Sequence, residues 1–235
     1  VQVKIGGIKS AQRIHYSALR DNVVFLSRLL KGEFIYQPGT VEENLEETLT
    51  SMEQMNVIAI EDDYVGLADV ERGIGRENYD FYCFLLWPFI ETYWLAGRRR
   101  QSMLHALPAG VVEDEGAIWV EERIFLRKAQ SFGRTLYYQG DISYMEAVNQ
   151  ETLKNAFHRL QAERVMLVRR GAASPREPTR IALHPHYVPA RDADGSILPE
   201  GRLWSLVERI SQFRREGKNR RDNATVSSRV LRLAE

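Results

Sequence analysis

Two stretches of this chain follow one plan, and that plan constrains the fold more than any other feature. Residues 43–68 read "ENLEETLTSMEQMNVIAIEDDYVGLA"; residues 151–168 read "ETLKNAFHRLQAERVMLV" and are followed, after a loop, by "TRIAL". Each stretch predicts a helix, a short polar turn and a β-hairpin. In the first, Leu45, Leu49, Met52 and Met55 recur at helical spacing. Thr40 is placed to cap the helix, and Glu42 and Glu43 fall in the first turn, where the helix dipole favours anions. Val57, Ile58 and Ile60 then predict a strand, Glu61 to Asp63 a turn, and Val65 to Leu67 the return strand. In the second, Leu153, Ala156, Phe157 and Leu160 occupy i, i+3, i+4 and i+7, one face of a helix. Asn149 is the candidate cap. The strand "RVMLV", the Pro-containing loop "RRGAASPREP" and the strand "TRIALHPHYV" complete it. The order is winged-helix-like in both, with a longer wing loop in the second.

The rest of the chain is mostly helical. Residues 14–31 predict a helix, ended by "GEFIYQPGT" with its Gly32, Pro38 and Gly39. Residues 69–97 predict an aromatic-rich helix that Pro88 should kink or split. Residues 118–138 predict a long amphipathic helix, and Asp141 or Ser143 a short one running through Ala147. "GRLWSLVERISQF" predicts a last helix with Leu203, Leu206, Val207 and Ile210 on its apolar face. The expected fold is therefore mainly α with small β-hairpins: a helical domain containing two winged-helix-like modules. The expected domains are 1–106, with the first module and the aromatic helix; a linker at 107–117, "LPAGVVEDEGA"; 118–218, with the second module and the last helix; and a flexible tail at 219–235. The residues after the last helix, from "RREGKNRR" onward, read as a loose basic tail.

Composition weighs against some functions. Lys and Arg together number 32, as do Asp and Glu, so the net charge is zero. Nucleic-acid binding draws on a positive surplus that this chain lacks. The single cysteine, Cys83 in "FYCFLLW", permits no intramolecular disulfide and reads as a buried small hydrophobe. The chain starts "VQVKIGGIKS", without Met and without a signal-peptide pattern, and reads like the middle of a longer protein. Its longest apolar run, "FYCFLLWPFIETYWL" (Phe81 to Leu95), falls short of the roughly 20 apolar residues of a membrane span and contains Pro88, Glu91 and Thr92. It reads as a core helix. Its aromatic density makes Trp87, Phe89, Tyr93 and Trp94 the candidates for a surface facing another domain or a membrane.

No reaction chemistry can be assembled from the spacing. There is no P-loop, dinucleotide fingerprint or zinc-ligand spacing. His184 and His186 in "HPHY" would share one face of a strand, and two ligands alone make a weak metal site. The carboxylate groups "EDD" (Glu61 to Asp63) and "EDE" (Glu113 to Glu115) fall in expected turns, where solvated charge is the ordinary state. No catalytic, cofactor or metal residue is assigned, and no cofactor is expected.

Three segments in order carry a resemblance: "FLSRLLKGEFIY" (Phe25 to Tyr36), "PFIETYWL" (Pro88 to Leu95) and "YQGDISYMEAVNQETLKNA" (Tyr138 to Ala156). Together they resemble the region downstream of the catalytic domain in glycerol-3-phosphate and dihydroxyacetone-phosphate acyltransferases of the bacterial PlsB type, over roughly residues 14–170. The resemblance implies a reaction that moves an acyl group from acyl-CoA or acyl carrier protein to the sn-1 hydroxyl of glycerol 3-phosphate. That family uses H-x4-D, the His as general base and the Asp as its orienting partner, because a hydroxyl attacks poorly until its proton has an acceptor. Here His15, His105, His184 and His186 have no acid five positions on. Only His158 does, with Glu163, and that pair lies in mid-helix within the downstream segment. "LPEGRLWS" (Leu198 to Ser205) echoes the family's phosphate-binding segment but stands after the downstream motifs instead of before them. The resemblance thus implies a non-catalytic C-terminal accessory region. Its partner would be an upstream catalytic domain, with acyl-CoA and glycerol 3-phosphate met only through that domain. Peripheral contact with an intracellular membrane is implied too, in the endoplasmic reticulum, mitochondrion or peroxisome.

Two other readings stand beside it. One is a tandem winged-helix nucleic-acid-binding protein with Glu151 to Glu163 as reading helix, carrying Lys154 and Arg159 with Arg164 just beyond, against which the zero net charge argues. The other is a free-standing degenerate relative that binds a partner through the aromatic face.

Overall fold

The structure is a computed structural model that describes residues 13–106 (98–106 as backbone only), 118–170, 177–190, 192–194 and 198–214. Helices dominate, with two small antiparallel three-stranded sheets. The chain divides into two compact units, one reaching Trp87 and the other beginning at Pro88. The segment 107–117, expected as a linker, and the tail at 219–235 lie outside the described residues.

The first unit runs β1 (Arg13–His15), α1 (Tyr16–Leu29), α2 (Val41–Gln54), β2 (Ile58–Glu61), β3 (Tyr64–Leu67) and α3 (Asp69–Gly73), and takes in the start of α4 (Glu77–Ala106). Thr40 caps α2 as expected. Its hydroxyl accepts the Glu43 amide at 3.1 Å, and the Glu43 carboxylate accepts the Thr40 amide at 2.8 Å, a reciprocal capping box. Thr40→Ala is expected to lower stability by about 1 kcal/mol, read from the midpoint of urea unfolding. The hairpin turn is Asp62–Asp63, both left-handed (φ 48° and 63°), the conformation that matches the twist of two antiparallel strands. Leu45, Leu49, Val57, Ile58 and Val65 form the core. Met55, expected on the same helix face, is exposed because it lies just past the helix end.

The second unit runs β4 (Val120–Glu121), α5 (Glu122–Gln139), a 3-10 turn at Met145–Val148, α6 (Gln150–Ala162), β5 (Met166–Arg169), β6 (Arg180–Leu183) and α7 (Arg202–Ser211). Leu153, Ala156, Phe157 and Leu160 are all buried, as their spacing predicts. Phe125 meets Phe157 edge to face with ring centroids 4.8 Å apart. Within this unit Ile90 to Gly97 of α4 are buried without interruption, so this stretch is enclosed on every side. Two glycines let neighbours approach it. A Cβ on Gly97 would stand 2.7 Å from Val207, and one on Gly133 would stand 2.6 Å from Leu95 and 2.9 Å from Val148. Gly133→Ala should gain helix propensity and lose more to overpacking, a net cost of about 1–2 kcal/mol, measurable by chemical denaturation.

Several expectations need correction. Both sheets have a third strand beside the expected hairpin. β1 pairs with β3 (Ile14↔Val65) and β4 pairs with β6 (Val120↔Ile181), giving orders β1-β3-β2 and β4-β6-β5. The helices expected from 14 and 118 therefore begin at Tyr16 and Glu122, because the residues before them spend their backbone groups on a sheet edge. The long aromatic helix is split, but not at Pro88. α4 passes through Pro88, and the break falls between α3 and α4, where Gly75 (φ 89°) and Arg76 (φ 64°) turn left-handed. Arg76 is held there by the hydrogen bond its backbone N–H donates to the Glu71 carbonyl at 2.8 Å and by its ion pair with Asp80 at 3.2 Å. The short helix expected from Asp141 or Ser143 is a single 3-10 turn from Met145. β6 ends at Leu183, so "HPHY" is not on a strand. His184 instead caps a 3-10 turn, its Nδ1 accepting the His186 amide.

Candidate functional site

A tightly hydrogen-bonded cluster of buried polar groups lies in the second unit, where α4 meets the segment between α5 and α6. Glu91 is 1% exposed. Its carboxylate accepts the Ser143 amide at 3.0 Å on both oxygens and the Tyr144 amide at 3.0 Å on Oε2. One helical position on, the buried Thr92 hydroxyl bonds the Pro88 carbonyl at 3.0 Å and the Ala147 carbonyl at 2.9 Å. Gln130 donates to the Val148 carbonyl at 3.2 Å. The irregular stretch from Ser143 to Val148 would otherwise bury backbone donors and acceptors at a cost of about 1–3 kcal/mol each. Glu91, Thr92 and Gln130 satisfy them.

Arg214 closes this cluster. Its guanidinium lies over the Trp94 ring, 3.4 Å from the centroid, and 3.7 Å from the Glu91 carboxylate, and it bonds the Asp141 carbonyl. Reading the sequence after α7 as a loose tail missed this residue. The "RREGKNRR" run shows only a basic segment, with nothing to set Arg214 apart from the cations that follow it.

Burial pushes the Glu91 carboxyl above its usual range, against the opposing pull of the Ser143 amide, the Arg214 charge and the Tyr144 amide. The folded state then takes up this proton more readily than the unfolded one. The contribution of this group to stability is complete below the unfolded value of about 4.3 and is lost as pH rises through the folded value. The stability advantage of the native chain over Glu91→Gln is expected to shrink as pH rises through that window, measured by urea unfolding at successive pH values.

The four aromatic candidates separate by burial. Tyr93 and Trp94 are interior residues, 0% and 5% exposed, whereas Trp87 and Phe89 are half-buried. Cys83 is half-buried instead of buried, and desolvation raises its thiol pKa. His158 is exposed on α6, and Glu163, five positions on, pairs with Arg159. Lys154 pairs with Glu151 at 3.4 Å on the same helix, so two cations of the supposed reading helix have carboxylate partners. Gly201 of "LPEGRLWS" is the residue just before α7, at its N-cap, and Leu203 of that segment is a core residue. His184 and His186 stack edge to face, 4.8 Å apart. Among the described residues no group of three or more His, Cys, Asp or Glu side chains is placed to hold a metal ion.

The segments brought together here are "PFIETYWL" and "YQGDISYMEAV": Glu91 and Thr92 of one bond Ser143, Tyr144 and Ala147 of the other. A family model described as the glycerol-3-phosphate acyltransferase C-terminal region matches residues 4–169. The chain belongs to this family. No curated protein matches it. Both interlocked segments lie inside the span of this C-terminal region. β6, α7 and Arg214 lie beyond it, so the arginine that closes the cluster is contributed from outside the family's span. Among the described residues no helix is long and apolar enough to cross a membrane.

Proposed function

We propose that this chain is the non-catalytic part of a glycerol-3-phosphate or dihydroxyacetone-phosphate acyltransferase, and that it packs on a catalytic domain carrying H-x4-D. The observation that carries the reading is the use made of the family-like segments. Glu91 and Thr92 are committed to the backbone of Ser143 to Ala147. His158, the one histidine with an acid at the right spacing, faces solvent while Glu163 is paired elsewhere. In an H-x4-D arrangement the acid orients the base; here Glu163 is engaged by Arg159 instead, and residues used as in this chain serve to hold a shape. Trp87 and Phe89 are the candidates for the surface that meets the catalytic domain or rests peripherally on a membrane.

The test is acyl transfer from labelled acyl-CoA to glycerol 3-phosphate, run with the chain alone and then with the H-x4-D domain added. The expected result is no lysophosphatidate from the chain alone and product formation on mixing that exceeds the catalytic domain by itself. Turnover by the chain alone, abolished in His158→Ala, would overturn the proposal.

A further inference from the structure

The first unit holds a groove that neither the fold nor the acyltransferase reading uses. It runs between α1 and α2 beside the loop that joins them, is open to solvent along one side, and has a volume of about 470 Å³, within the usual range of about 300–1,000 Å³ for small-ligand sites. Its apolar lining includes Val23, Tyr36, Val41 and Leu45. Leu45 belongs to the core of this unit and Val23 is a partly buried residue packed against it, so the groove lies along the edge of the core. Its charged lining residues are Arg28 and Lys31; the lining contains no Asp or Glu. In a chain with as many acids as bases, a lining with two cations and no acid is an uneven local distribution. Both cations are exposed, and among the described residues neither has a carboxylate within ion-pair distance. Their position at the end of α1 suits the helix dipole, but the dipole does not account for the apolar surface beside them.

We infer that this groove binds a monomeric single-chain amphiphile with an anionic phosphate or carboxylate head. Arg28 and Lys31 take the head, and the surface formed by Val23, Tyr36, Val41 and Leu45 takes the first part of the chain. The arginine offers paired donors to two oxygens of the head, and the lysine adds a point charge. An apolar partner alone would leave the cations without a role, and a small inorganic anion alone would leave the apolar surface wet. This inference stands independently of the accessory role proposed above.

The probe is dodecyl phosphate below its micelle concentration, titrated into the full chain and followed by the methyl resonances of Val23, Val41 and Leu45. Inorganic phosphate and dodecyl maltoside are titrated in parallel. The expected result is saturable shifts of those methyls with dodecyl phosphate, and binding at least about tenfold weaker for either control, since inorganic phosphate forgoes the apolar burial and dodecyl maltoside the charge-assisted contact, and a factor of ten is about 1.4 kcal/mol. Arg28→Glu with Lys31→Glu should abolish the preference for the anionic amphiphile. Thr48→Trp, which fills the groove from an exposed position on α2, should block binding without touching the cations. Equal binding of inorganic phosphate, equal binding of dodecyl maltoside, shifts elsewhere than these methyls, or capture of an apolar helical peptide in competition with no amphiphile binding would each overturn it.

Discussion

Glu91→Ala is expected to lower the stability of the second unit by about 3–5 kcal/mol, the range found when one partner of a buried charge pair is removed. The substitution strips the acceptor from two backbone amides, Ser143 and Tyr144, and leaves the largely buried Arg214 without its carboxylate. Glu91→Gln should cost less, because one oxygen still accepts while the new amide faces N–H donors. Urea unfolding monitored by tryptophan fluorescence measures both. A loss below 1 kcal/mol for the alanine variant would mean that water reaches the Ser143–Val148 segment and serves it as well as the carboxylate does.

The second large effect concerns Trp94. It is 5% exposed and sits under Arg214. Trp94→Ala is expected to cost about 3–5 kcal/mol, from lost burial and the cavity left behind, and the cation–π contact goes with it. Glu91 and Trp94 share Arg214, so the double variant should lose less than the sum of the singles, with a coupling of 0.5 kcal/mol or more. Additivity within error would show that Arg214 keeps each contact whether or not the other partner is present. The half-buried Trp87 is the contrasting site. Trp87→Ala should cost the isolated chain less than Trp94→Ala, and its effect should appear as lost activity when the catalytic domain is present.

What the sequence made legible followed from periodicity. The buried face Leu153–Ala156–Phe157–Leu160, the Thr40 cap and the Asp62–Asp63 turn are local signals, each decided within a few residues. The third strands were not legible, because three residues at Arg13–His15 and two at Val120–Glu121 are too few to set a period of two, and each abuts a helix whose pattern absorbs them. Pro88 was expected to kink or split the helix, yet the break went to Gly75 and Arg76, where the Glu71 carbonyl and Asp80 hold a left-handed turn in place. The candidate cluster was half visible. Glu91 and Thr92 were noticed only as interruptions of an apolar run. Their partners lie some fifty positions away, a distance no single-sequence pattern spans. Arg214 was hidden for a related reason: a cation gains meaning from the ring it covers, and Trp94 is remote from it in sequence.

The third strands have a consequence for how the protein forms. In each sheet the third strand comes from before the two helices that precede the hairpin, so position 14 must find position 65, and position 120 must find position 181. Closing loops of that length costs conformational entropy before any pairing is gained. The helix and hairpin, whose contacts are close in sequence, can assemble first, with the edge strand added last. Until it arrives, β3 and β6 each present an open row of backbone donors and acceptors, and that row can pair with another molecule as well as with its own chain. On a ribosome β1 is synthesised well before β3, so the short strand waits while its docking edge is made. Self-association during refolding should therefore depend on these few edge residues far more than their small area suggests.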